Sequence, residues 1–254
     1  MKKIGKCNLC LKVDIQFSKS HIIPKFLFKE LKGVNGKEKI VQISPNNENE
    51  KSFSSDNFYD RNILCSDCET YLSKYETYLN KFLSETIYDE KNQIEKTDKF
   101  SIIHISNIDS KKLKLGLLSI LWRSDITEHK FFSEVSLGPH SEYLRNLILK
   151  DDFGGEMEYP LFISVLNTEN DLKNIILPIE RSKSNGITQY TYIINKFGFY
   201  FCIGSIDKMN KSVLIDCVPN LSNNIKIILH KDNYGRDLFE SYYFNDVKRR
   251  PKYK

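Results

Sequence analysis

Two cysteine pairs constrain this chain more than any other feature. Cys7-x-x-Cys10 and Cys65-x-x-Cys68 each have the spacing at which a tight turn aims two sulfurs at one point. Two such turns complete a tetrahedron around a single zinc ion. The 54 residues between the pairs exceed the loop of a compact zinc ribbon, so a small subdomain is expected between them. Zinc in such a site supplies about ten kcal/mol of folding free energy, which a region this short needs. The alternative is four reduced thiols without metal. A redox role for one pair lacks the βαβ setting that such motifs use. Cys202 and Cys217 stand alone in FYFCIG and VLIDCV and read as core residues.

The compartment follows from the same count. MKKIGKCNLCLK carries no apolar segment of signal-peptide length, and no run of 18 apolar residues offers a membrane span. A cytoplasmic protein is expected, with no membrane partner and its six cysteines kept as thiols or metal ligands. The formal charge of +5 is unevenly placed: the first forty residues hold ten lysines against Asp14, Glu30 and Glu38, and the chain ends in KRRPKYK. Basic ends suit a polyanionic partner; they also suit a solvated surface and a frayed tail.

Along the chain, PKFLFKELKG reads as a short helix with Pro24 in its first turn and Gly33 at its end. Lys25, Lys29 and Lys32 lie on one flank of it. The middle of SPNNENEKSFSSDN (44–57) reads as a surface loop. In ETYLSKYETYLNKFLSE, Leu72, Tyr75, Leu79 and Phe82 form one helical stripe. YDEKNQIEKTDK (88–99) reads as a linker. Beyond it, 112–123 and the stretch from 139–141 through EYLRNLILK read as helices, the first weakened by Gly116. Residues 100–106, 159–166, 187–195, 197–204 and 225–230 read as strands, with NKFG as a hairpin turn. His104, His129, His140 and His230 have no ligand spacing and read as structural. Arg123 reads as a surface arginine at the end of an apolar helix. No phosphate-binding glycine loop or nucleophile elbow appears.

Between the cysteine pairs stands SHIIPK, and the second pair arrives as NILCSDCE. A Cys-x-x-Cys, a histidine followed by Ile-Ile-Pro, and LCxxC opening a helix together resemble the zinc-containing HNH, or ββα-metal, nucleases. The resemblance covers roughly residues 5–80, about a third of the chain. SILWRSDI at 119–126 resembles C-terminal regions of uncharacterised bacterial HNH proteins.

What the resemblance implies is a β-hairpin and helix that hold a catalytic divalent ion, Mg2+ or Mn2+, against the scissile phosphate. His21 matches the general base. Ser20 falls where the family most often has Asp or His, and a hydroxyl is a poor ligand for a hard cation. Asp60 stands five residues before Cys65, where the family has the Asn that orients the base; Asn62, two residues away, is a candidate substitute. Glu69 sits where a helix His or Asn binds the ion. Ser73 replaces another frequent histidine, Glu76 offers a second carboxylate, and Glu69, Ser73 and Glu76 share one helix face. Either Asp60 and Glu69 rebuild the ion site, or catalysis has been lost and the module only binds. Lys12, Lys19, Lys25, Lys29 and Lys32 would flank the same cleft and contact phosphates without reading sequence.

The expected fold is α+β: an N-terminal zinc-bound ββα-metal (HNH or treble-clef-like) module over 1–90, then a mixed α+β recognition or regulatory domain over 97–254. The expected function is metal-dependent cleavage of DNA by a prokaryotic effector of restriction or anti-phage defence. Its rival is a catalytically degenerate zinc module that binds nucleic acid or a protein partner. RNA stays open as the substrate, since reading a backbone requires no base-recognition motif. The second domain is expected to meet a protein partner or another copy of the chain.

Overall fold

Leu72, Tyr75, Leu79 and Phe82 are all buried along α1 (Ser66–Ser84) in the computed structural model of the chain. The structure describes residues 3–28, 40–43, 51–54, 58–98, 100–166, 176–184, 186–205 and 217–230. Helix α1 opens directly at Cys65, and Asp67 and Glu69 in its first turn complement the positive end of the helix dipole.

Helix α2 (Ser110–Ile126) starts where the Asp109 carboxylate accepts the Lys112 amide N–H at 2.9 Å. It is buried around nearly its whole circumference, Lys114 and Arg123 included, which makes it the central helix rather than an amphipathic surface one. Helix α1 packs on one side of it and α3 (His140–Lys150) on another. Gly116 makes the first approach possible, because a Cβ there would sit 2.7 Å from Leu79 Cδ1. Asp151, just past α3, ties all three helices: its carboxylate accepts from Tyr75 Oη at 2.5 Å and Lys111 Nζ at 2.8 Å.

At the N-terminal end, β1 (Ile4–Gly5) pairs with β2 (Ile15–Gln16), and β3 (Ser20–His21) pairs antiparallel with β6 (Tyr59–Asp60). Between β3 and β6 lie a 3-10 turn at Lys25–Phe28 and a hairpin of β4 (Ile40–Ile43) with β5 (Lys51–Ser54). The helix expected over 24–33 is thus a 3-10 turn as far as it is described, and Lys29 and Lys32 lie outside the described residues.

The other strands build one seven-stranded sheet: β7 (Gln93–Lys96), β8 (Phe100–Ile105), β9 (Leu161–Val165), β10 (Glu180–Ser184), β11 (Ile187–Ile194), β12 (Phe197–Ile203) and β13 (Ile225–His230). Their order is β10-β11-β12-β9-β13-β8-β7, antiparallel throughout except for the β9–β13 pair. The NKFG turn joins β11 to β12 with Asn195 in the left-handed region at φ 56°. The expected linker at 88–99 instead contains β7, an edge strand whose four side chains are all exposed. One continuous core runs from Cys7 and Leu9 through Trp122 to Ile227, so it does not break between residues 90 and 97. Among the described residues, no helix is long and apolar enough to cross a membrane.

Candidate metal centre and histidine site

The first cysteine pair sits in a knuckle closed by the β1–β2 ladder. Cys7 N–H donates to the Lys12 carbonyl and Leu11 N–H returns to the Cys7 carbonyl, both at 2.9 Å, with Leu11 turned to φ 61°. Backbone bonds from Asn8 to Ile63 and from Ser18 to Leu64, each 2.9 Å, carry the knuckle onto the second pair. The Cys65 N–H then donates to Cys7 Sγ at 3.4 Å. The four sulfurs lie within 4.8 Å of one another, and Cys10 and Cys65 are 3.9 Å apart. Thiolates bound at about 2.3 Å around a tetrahedral zinc would be about 3.8 Å apart.

Electrostatics favour a cation at the centre. Burial pushes the Cys7 and Cys68 thiols up, and the neighbouring sulfurs push Cys68 further. For Cys10, burial acts upward but the Lys12 amide and the other three sulfurs outweigh it and leave the thiol lowered. Four thiolates cannot coexist here without a compensating positive charge, and a divalent ion with a taste for sulfur fits that need. The quartet is a possible zinc site, and among the described residues it is the only cluster of its kind. It is braced from outside by Arg145 of α3, whose Nη1 donates to the Leu9 carbonyl at 2.6 Å.

The same framework carries the histidine. Register in the β3–β6 pair sets Ser20 opposite Asp60 and His21 opposite Tyr59. Ser20 is fully buried and His21 half-buried. Three polar atoms in this corner, Ser20 Oγ, His21 Nε2 and Glu69 Oε1, are buried without a well-formed hydrogen bond, although the Ser20 hydroxyl lies close enough to the Glu69 carboxyl to act on it. Such orphans are costly unless a ligand or water meets them. Burial lowers the His21 pKa, and the charges of Lys25, Lys19 and Arg123 lower it further against the pull of Glu76. All of these effects but the Glu76 charge favour the neutral imidazole, the form that can take a proton. Burial raises the Glu69 carboxyl, while the Ser20 hydroxyl and Arg123 draw it back down.

Asp60 has a holding role. Its Oδ1 accepts the Asn62 N–H at 2.9 Å and its Oδ2 accepts Thr127 Oγ1 at 2.8 Å, which pins β6 to the end of α2. Among the described residues, Asp60 and Glu69 are not part of a group of three or more metal-ligand side chains. Ser73 turns outward and bonds the Thr70 carbonyl. Glu76 does face the site and pairs with Arg123 at 2.7 Å. Lys19 Nζ lies 3.8 Å above the Tyr59 ring and Arg61 is 5.3 Å from it, so Tyr59, 6.4 Å from the His21 ring, carries two cations beside the histidine. Lys12 and Lys25 are exposed.

Arg123 is not at the surface: it is fully buried with its head against β3. Arg123, Thr127, Tyr59 and Arg61 are the members that spacing alone does not flag. The first two arrive from α2, and Tyr59 and Arg61 belong to a two-residue strand and its exit. No protein-family model, curated protein or solved structure matches this chain.

Proposed function

We propose that the chain is a metal-dependent HNH-type endonuclease that hydrolyses phosphodiester bonds in DNA, with His21 as general base. The observation that carries this reading is the set of three buried atoms without a well-formed hydrogen bond, Ser20 Oγ, His21 Nε2 and Glu69 Oε1, on a short two-stranded ladder and a helix stapled by the cysteine quartet. A neutral imidazole with a free ring nitrogen can accept the proton of an attacking water. The Glu69 carboxylate offers an oxygen donor that suits Mg2+ or Mn2+. Such an ion would stabilise charge on the phosphate. Lys19, Lys25 and Arg61 supply positive charge for a backbone laid across Tyr59. The setting this activity fits is restriction or anti-phage defence, an analogy from the module alone.

The test is nicking of supercoiled plasmid by zinc-loaded protein in added Mg2+ or Mn2+, with His21→Ala alongside. Cleavage should fall by about 10²–10⁴-fold in the variant while DNA affinity holds. Equal cleavage by both proteins would sink the assignment of His21.

One observation favours a second reading, a zinc module that binds nucleic acid or a protein without cutting. Both Asp60 oxygens are engaged and Glu76 is paired with Arg123, so Glu69, met only by the Ser20 hydroxyl, is the least engaged carboxylate of the three. Salt-sensitive DNA binding with no cleavage by the wild-type chain would decide for it. The same cleavage assay run on RNA settles the polymer.

A further inference from the structure

Arg123 has 0% exposure, and the proposed chemistry does not use it. Its base is fixed to its own helix, Nε donating to the Ser119 carbonyl at 3.2 Å and Nη2 to Ser119 Oγ at 3.4 Å. Its head leaves the helix. Nη1 donates to the backbone carbonyl of His21 at 2.5 Å and to Glu76 Oε1 at 2.7 Å. A guanidinium can make all these bonds at once because its donors fan out in one rigid plane; an ammonium cannot.

The carbonyl it grips lies at the end of a very short strand. Strand β3 is two residues long, and beyond it the Ile22 N–H bonds the Phe58 carbonyl at 2.9 Å. So short a ladder leaves the peptide after His21 held from the β6 side only, unless something meets its carbonyl. Arg123 does so from α2. Because that carbonyl belongs to the residue carrying Nε2, its placement sets the ring. We propose that Arg123 is a positioning residue: it fixes His21 for proton abstraction and makes the central helix part of the active site. The proposal rests on the nuclease reading of His21.

The test uses full-length, zinc-loaded protein. Arg123→Gln and Arg123→Lys are compared with Lys114→Met, a change on the same helix that is equally buried but whose side chain contacts the 153–155 loop instead. Plasmid nicking is read as separate kcat and KM, and the His21 ring signal is read by histidine-selective NMR without DNA, identified by its loss in His21→Ala. Arg123→Gln should lower kcat by about 10²-fold, the cost of a misplacement near 1 Å, with KM little changed. Arg123→Lys should recover part of that loss, and the ring signal should move in Arg123→Gln but not in Lys114→Met. A kcat in Arg123→Gln equal to wild type, or an equal fall in Lys114→Met, overturns the proposal. If Arg123→Gln does not fold, the lysine variant is judged by the same readings. If the wild-type chain cuts nothing, the nuclease reading fails and takes the catalytic role of Arg123 with it; with cleavage present, an unmoved ring signal overturns the positioning role alone.

Discussion

Lys114 and Arg123 lie on one helix with no exposed surface, yet their charges are met differently. Arg123 has a carboxylate partner in Glu76. Lys114 has a neutral one: Nζ donates to the Gly155 carbonyl at 2.7 Å and sits 4.3 Å from the Phe153 ring centre. Burial therefore pushes the Lys114 pKa down to about 8, against the pull of Glu158, Glu156 and Asp152. Its folded value lies below the ordinary lysine value, so between about pH 8 and pH 10.4 the unfolded chain holds more protons and stability rises with pH. Below about pH 8 both states are charged and the penalty is constant. Urea titrations at pH 7.5 and 9.5 should show wild type gaining stability relative to Lys114→Met; parallel behaviour would mean the ammonium is better solvated than its surroundings imply. At this scale, legibility followed spacing. The cysteines and His21 declare themselves within a few residues, but Arg123 meets His21 across 102 residues and Thr127 meets Asp60 across 67. No local pattern encodes such a pairing, and Arg123 at the end of an apolar run carries the same signature as a solvated arginine.

Helices whose apolar residues repeat were readable, and so were strands rich in Ile, Tyr and Phe, because burial on one or both faces writes itself into composition. The sheet's two edges were not. Gln93–Lys96 and Glu180–Ser184 are polar strands paired on one side only, and charged edges guard against further pairing. Gly116 illustrates a case where propensity and packing point opposite ways. Alanine there would favour the isolated helix by about 1 kcal/mol. Its Cβ, however, would fall 2.7 Å from Cδ1 and 2.9 Å from Cγ of Leu79, a fully buried side chain that would have to shift. Gly116→Ala should destabilise by about 1–3 kcal/mol in urea unfolding, and pairing it with Leu79→Ala should bring a favourable coupling. Additive losses in the double variant would show that the α1–α2 approach does not depend on this contact.

For the whole chain, the question is whether the cysteine-stapled part stands alone. Zinc in a four-thiolate site is worth about ten kcal/mol, comparable with the 5–15 kcal/mol that holds a typical domain together. Removing it should therefore unfold whatever depends on it. Two buried arginines extend that dependence beyond the first ninety residues: Arg145 braces the Leu9 carbonyl in the cysteine knuckle, and Arg123 braces the His21 carbonyl. Between them α1 packs on α2, and the apolar core continues from Cys7 to Ile227 without a gap. Loss of the staple would free the Leu9 and His21 carbonyls from Arg145 and Arg123, so the damage should reach α2 and α3. The expected result is one zinc per chain by elemental analysis, and a single cooperative melting transition. A strong chelator, or Cys68→Ser, should shift that transition down as a whole rather than split it. Two separate transitions, with the later one indifferent to chelation, would make the sheet half an independent unit and reduce the arginines to contacts across a boundary. The cleavage assay then gains a prediction of its own. If the core is one unit, a chain cut short before α2 should lose His21 activity even with its four cysteines and their zinc intact.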